Sequence, residues 1–423
     1  MQFLIVKRYR YNDFMRAILL SWEYPPMRVG GIAAALEGLA PALARAGVET
    51  HVVTCGDSGG APEENPQENL FIHRVTVTEA SDNFVHWVHL LNDRLDERAD
   101  ALIREWQKKE ARKKNKTPIL IHVHDWLGQF AGVALKHRYK LPMLSTIHAT
   151  EFGRNSGIRT EGQRYINHCE WELATESWRV IVCSNFMRGE VEYALGVPWD
   201  KMDVLPNGVE ARVFEGLEGE GWWSFRRRFA ADNEKIVFFI GRPVHEKGAH
   251  VLVQALPRVR ALGVNAKLVI SGGGQRGHLE ALAGQLGMWP HVYFTGRVSD
   301  EDRDNLYQVA DVAVFPSLYE PFGIVALEAM AAHTPVVVSD AGGLAEVVEH
   351  NVTGLTTYKG DPDSLAWGVA RMVRDPGHAH WMAQNAYERV EAIFNWDVIA
   401  TDTKAVYQRV WDEYSASGWG SAK

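Results

Sequence analysis

Cysteine is scarce in this chain, with three residues, Cys55, Cys169 and Cys183, among 423. So few make neither a disulfide framework nor a CxxC metal site, and they suit a reducing cytoplasm. No stretch reaches the roughly 18 uninterrupted apolar residues that would span a bilayer, so no integral membrane association is expected. A basic excess is missing as well. Lys plus Arg number 45 against 53 Asp plus Glu, a net charge of −8, which argues against nucleic acid or anionic lipid as the main partner. Residues 1–15 carry no secretory pattern, because Lys7, Arg8, Arg10 and Asp13 interrupt the apolar content. Short-period repeats and low-complexity tracts are absent too. What is present, 46% hydrophobic and 23% charged residues, describes a globular chain of two or three domains at roughly 150 residues each.

The recurrent unit is a short β-branched run, a turn bearing Gly, Pro or His, then a longer segment of helical period. Strands are expected at Arg16–Leu20, Thr50–Thr54, Ile119–Val123, Met143–Ile147 and Val180–Cys183, with helices at Ala33–Ala46 and Leu90–Lys109 among them. After Asn207 the alternation restarts, at Lys235–Ile240, Ala266–Ser271, His291–Thr295, Val312–Phe315 and Pro335–Val338. This pattern predicts α/β architecture with parallel sheets covered on both faces. Two runs of strands favour two doubly wound domains, although a count alone leaves eight-fold barrel closure open. The seam is placed near Pro206–Phe214. Glu215–Trp223 and residues 56–69 read as exposed loops, and Lys108–Lys116 as a solvated cationic helix end, with a binding patch as the alternative. The first fourteen residues precede a second methionine, Met15, and form either an added strand or a non-native start.

The segment Phe315–Met330 carries the most chemistry. A strand ends at Phe315, a loop carries Glu320, and a helix is expected to open near Phe322–Gly323, with Pro321 in its first turn. The amides of Gly323, Ile324 and Val325 then become unpaired donors at the positive end of a helix dipole, which is an anion site. Glu320 and Glu328 stand eight apart. A retaining glycosidase pair needs about 5 Å between carboxyls, whereas a helical rise of about 1.5 Å per residue separates these by roughly 9–12 Å. They are better read as gripping different parts of one long ligand.

Other loops add to this one. Gly241–Gly248 follows the first strand of the second half and carries Arg242 and Lys247, two cations able to reach one anion. In the first half, Ser21–Ile32 places Gly30 and Gly31 before a helix, where their amides approach an anion from across a cleft; a plain tight turn is the alternative. Gly272, Gly274 and Gly277 have GxGxxG spacing but sit at the second turn of their domain and lack the acidic residue a dinucleotide fingerprint needs. His122 and His124 form an HxH, yet no further ligands at zinc spacing accompany them. Asp125 and His148, at strand ends, are read as hydroxyl-binding groups in the carboxyl-end crevice, with His122 as a candidate structural histidine.

These motifs together resemble the retaining, nucleotide-sugar-dependent glycosyltransferases of family 4. Glu320 and Glu328 match its Glu-x7-Glu signature, and Pro206–Val209, Gly241–Arg242, Glu246–Gly248 and Asp340–Gly343 match its other landmarks. Arg28–Ile32 is similar to the Lys-x-Gly-Gly-Leu loop of glycogen and starch synthases, with Arg28 in place of Lys, and His122–Trp126 to their His-x-His-Asp-Trp segment. The resemblance implies a GT-B fold of two facing Rossmann-like domains, 1–208 and 209–394, with a crossover helix at about 395–418. It implies that Arg242 and Lys247 hold the nucleotide diphosphate, with Arg28, Gly30, Gly31, Gly323, Ile324, Val325 and Val298 on the donor side. Glu328 then binds the ribose, Glu320 and His148 the donor sugar, and Asp125 lines the acceptor side. The implied partners are a nucleotide sugar and a glucan or oligosaccharide acceptor. No metal or other cofactor is expected, and an oligomer is compatible with the sequence. Alternatives are a family member acting on a lipid-linked sugar or a small acceptor, a non-catalytic sugar-binding partner, and a sugar-nucleotide epimerase.

Overall fold

A computed structural model describes residues 14–113, 116–211 and 217–421. The question of residues 1–13, the 212–214 end of the seam, and residues 114–115 of the basic cluster lie outside the described residues. Among the described residues, fourteen strands form two open sheets. The first contains β1 (Met15–Ser21), β2 (Val48–Cys55), β3 (Glu63–Gln67), β4 (Leu70–Val75), β5 (Ile119–His124), β6 (Met143–Ile147), β7 (Val180–Val182) and β8 (Met202–Val204), in the order 3-4-2-1-5-6-7-8. The second contains β9 (Lys235–Ile240), β10 (Ala266–Ser271), β11 (Val292–Gly296), β12 (Val312–Phe315), β13 (Val336–Ser339) and β14 (Leu355–Thr357), in the order 11-10-9-12-13-14. All pairings are parallel except the β3–β4 edge. Neither sheet closes into a barrel.

Central strands such as β12, Val-Ala-Val-Phe, are buried along their whole length, which is why they read as unbroken apolar runs. The long helix Phe84–Lys109 starts six residues before the expected Leu90, because the Asn83 side chain accepts from the amides of Val85 and His86 and caps it there. Two expected loops are structured. Residues 63–67 form β3, an exposed antiparallel edge with almost no apolar content to reveal it, and its Glu63 pairs with Arg98 at 2.9 Å. Within Glu215–Trp223, residues 215–216 lie outside the described residues, but Gly219–Arg226 is a helix anchored by the Trp222 indole, which donates to the Gln308 carbonyl.

In each sheet the strand order reverses beside the first strand, at β1/β5 and at β9/β12. Loops leaving the carboxyl ends there open a crevice. The lobes touch below it. Cys183 and Met187 share one apolar cluster with Phe322, Leu344 and Phe394. The Ser184 hydroxyl donates to the Pro321 carbonyl at 2.7 Å, and the Glu346 carboxylate accepts from the amides of Asn185 and Phe186. Tyr319 donates to Glu190 at 2.8 Å from the other lobe. The chain crosses between lobes twice at one place, where the Val209 amide donates to the Phe394 carbonyl. The tail helix Trp396–Ser417 then packs back on the first helix, Gly31–Arg45. Its Trp396 lies where a Cβ on Gly38 or Gly208 would stand, so those glycines make room for the indole.

Candidate active site

Between the lobes lies a cavity of about 660 Å³, a size suited to a small-molecule ligand. From the second lobe, Arg242, Lys247, Glu320, Gly323, Ile324, Val325 and Glu328 line it; from the first, Gly30, Gly31, Asp125 and His148. Residues from five separate segments of the sequence therefore meet at one place.

Parallel strands β9 and β12 set the second-lobe wall. The loop after β9 carries Arg242, whose side chain is 55% exposed and lies 3.7 Å from Glu246. Lys247 closes the same loop and donates to Glu320 Oε2 at 2.7 Å. Gly248 follows in a left-handed conformation, φ 68°, and a side chain there would collide with the Pro316 carbonyl. This close approach of two βα loops fixes Lys247 against Glu320. Glu320 is buried and also accepts from the Ser317 hydroxyl at 3.2 Å.

The helix Ile324–Ala331 starts later than expected. Gly323, at φ 112°, is its N-cap, so Pro321 stands outside the first turn. Ile324 and Val325 line the cavity, and their first-turn amides have no acceptor within the helix. One turn on, the Tyr307 hydroxyl donates to Glu328 Oε2 at 2.7 Å. Burial raises the Glu328 carboxyl above its ordinary range, against the pull of Arg303 and the Tyr307 bond. Glu320 and Glu328 thus hold different partners, Lys247 and Ser317 for the one and Tyr307 for the other.

The first-lobe wall brings corrections. The Gly30 loop lines the cavity, but Glu23 has taken the amides of Val29 and Gly30. Glu23 Oε2 accepts from Val29 at 2.6 Å and from Gly30 at 2.9 Å, and the side chain is buried. Desolvation raises this carboxyl, while bonds from the Gly30, Val29 and Ala33 amides oppose the rise. The Gly30 amide is therefore bonded internally, while Gly30 and Gly31 both line the cavity. Sequence reading missed Glu23; its signal was an acidic residue seven before paired glycines.

Arg28 does not line the cavity. It pairs with Glu37 at 2.7 Å and with Asp300 of the other lobe at 3.5 Å. Val298 is outside the cavity too, packed against the apolar cluster of the lobe interface. Arg28→Ala is expected to leave the KM for a nucleotide sugar within about twofold and to cost less than about 1 kcal/mol of stability, as for an exposed ion pair. Steady-state kinetics giving a tenfold rise would restore Arg28 to the donor site.

Asp125 is buried with φ 59°, and its Oδ1 accepts from the His148 amide at 2.7 Å. Arg154, unmarked by any sequence motif, also lines the cavity, 3.6 Å from Asp125 Oδ2. His122 has the structural role considered for it, between Tyr407 of the tail helix and Thr146, each at 2.7 Å. The Gly272 loop is structural as well. Gly272, φ 148°, lies against the Gly241 carbonyl where no side chain fits. Among the described residues no cluster of three or more His, Cys, Asp or Glu is arranged to hold a metal, and no helix is long and apolar enough to cross a membrane.

Residues 29–213 match the family model "Glycosyltransferase Family 4", and residues 223–389 match "Glycosyl transferases group 1". An uncharacterized glycosyltransferase of Methanocaldococcus jannaschii is 38% identical over 93% of this chain and 98% of its own. The chain is a family-4 glycosyltransferase of the GT-B fold. This glycosyltransferase is also 35% identical to a glycogen synthase of Mycobacterium tuberculosis, over 93% of its own length and 94% of the relative's. Among solved structures, the sucrose-phosphate synthase of Thermosynechococcus elongatus superposes with a TM-score of 0.79 at 25% identity, covering 94% of the glycosyltransferase and 100% of that chain. The two family models meet within residues 213–223, beside the stretch where the chain crosses between the two sheets.

Proposed function

We propose that this glycosyltransferase moves a glucosyl unit from ADP- or UDP-glucose to an α-glucan or related acceptor, with retention of anomeric configuration. The observation that carries the reading is the convergence of Arg242, Lys247 and the first-turn amides of Ile324 and Val325 on one cavity. As the bond from anomeric carbon to phosphate oxygen breaks, negative charge grows on the β-phosphate. Fixed cations and a helix N-terminus stabilise that charge more in the transition state than in the ground state. In this proposal the acceptor hydroxyl attacks from the face the nucleotide leaves, and the departing phosphate oxygen takes its proton. Glu320 orients the donor sugar through its hydroxyls and holds Lys247 in place. Glu328 receives the ribose, and His148 a sugar hydroxyl. Arg242 and Lys247 carry the neutralising charge, so the scheme calls for no divalent cation. A panel of ADP-, UDP- and GDP-sugars against glucan, maltose and glucose phosphate, read by nucleotide release and product mass, tests the assignment. Nucleotide release that needs no acceptor, or none with any pair, would overturn it.

A second reading is favoured by Arg154, a cation lining the first-lobe wall of the cavity beside Asp125. It would suit a small acceptor bearing a phosphate, in line with the name of the sucrose-phosphate synthase above. A hydrogen bond to a charged group contributes about 1.5–3 kcal/mol. Arg154→Gln should then raise the KM for a sugar phosphate by about 10–100-fold and leave the KM for a neutral glucan unchanged. Equal effects on both acceptors would reject this second reading.

A further inference from the structure

Two neutral histidines lie nose to nose at the cavity wall. His124 Nδ1 and His148 Nε2 are 3.0 Å apart, a hydrogen bond in which one ring must donate and the other accept. Burial lowers the pKa of both rings, so neither carries charge near neutrality. Which ring donates is settled at the far side of His124. That residue is wholly buried, and its Nε2 has no hydrogen-bond partner among the described residues. If His148 donated, His124 would carry its proton on Nε2, an orphaned buried N–H. If His124 donates from Nδ1, Nε2 is a bare lone pair. Orphaned buried N–H donors are rarer than under-satisfied acceptors, so the second arrangement prevails.

The consequence falls on His148. With Nε2 accepting, its single ring proton sits on Nδ1, an atom that makes no hydrogen bond to the described residues and is not enclosed by them. His148 lines the cavity. We infer that His124 is a positioning residue that locks His148 as the Nδ1–H tautomer, so that His148 presents a hydrogen-bond donor, not an acceptor, to a hydroxyl oxygen of the bound sugar. The hydroxyl partner rests on the function proposed above; the tautomer does not.

The test uses the full chain labelled with 15N at histidine. Long-range 1H–15N correlation spectra distinguish the two neutral tautomers in the wild type, His124→Gln and His124→Leu. Glutamine keeps an amide donor near the same place, and leucine removes it. The Nδ1–H pattern is expected at His148 in the wild type, retained in His124→Gln and replaced by a mixture or by Nε2–H in His124→Leu. An Nε2–H pattern in the wild type, or an unchanged pattern in His124→Leu, overturns the inference. In parallel, kcat/KM for the nucleotide sugar should fall at least tenfold in His124→Leu and less than threefold in His124→Gln, with the Kd of the free nucleoside diphosphate unchanged. If the tautomers follow expectation but all three proteins turn over alike, the proposed sugar contact fails while the tautomer lock stands.

Discussion

Lys247→Ala should lower kcat at saturating nucleotide sugar by about 10²–10³, the scale seen when one preorganised donor to a developing oxyanion is removed. Lys247 stands 2.7 Å from Glu320 and lines the cavity beside Arg242, in a loop locked by Gly248 against the Pro316 carbonyl. Because charge builds on the leaving phosphate only as the bond breaks, the loss is expected mainly in kcat, with the smaller change in KM. Removing the ammonium also leaves the buried Glu320 carboxylate with Ser317 as its remaining partner, so a modest fall in unfolding midpoint accompanies it. Glu320→Gln separates these effects, since it keeps the cation and removes its counter-charge. A Lys247→Ala protein that keeps kcat within threefold of the parent would show that Lys247 does not stabilise the leaving group.

Trp396→Ala should cost about 3–5 kcal/mol of stability in urea unfolding, the range for truncating a buried aromatic. Trp396 is 5% exposed at the start of the tail helix, beside the crossing between lobes. Gly38 of the first helix and Gly208 of the crossing both lack the side chain that would displace its indole. The same tail helix carries Tyr407, which is bonded to His122 under the cavity. Loosening it therefore disturbs the strand end that bears His124 and Asp125, and a fall in activity should follow at temperatures where the protein is still folded. A cost below 1 kcal/mol would mean that the tail helix is held elsewhere.

Most of the fold was legible in the sequence because its central strands are buried on both faces. β9, β10 and β12 begin and end where their β-branched runs do. The unread elements are those whose stability comes from neighbours: β3, an exposed edge paired with β4, and the helix Gly219–Arg226, anchored through Trp222. The second-lobe half of the site was legible for a related reason. Its loops carry their chemistry in local patterns, a strand followed by Arg and Lys or by Glu and Gly. The first-lobe half depends on competition between side chains, which spacing does not show. Glu23 reaches the amides of Val29 and Gly30, and Arg28 turns to Glu37 and Asp300. Arg154 and the Tyr319–Glu190 bond come from tertiary placement alone and left no sequence signal.

The most direct measurement is a crystal structure with ADP or UDP bound at millimolar concentration. The diphosphate is expected at the carboxyl ends of β9 and β12, its terminal phosphate within hydrogen-bonding distance of Arg242 and Lys247 and facing the Ile324 and Val325 amides. Nucleotide density elsewhere on the protein, or a diphosphate in the cavity that touches neither cation, would contradict it.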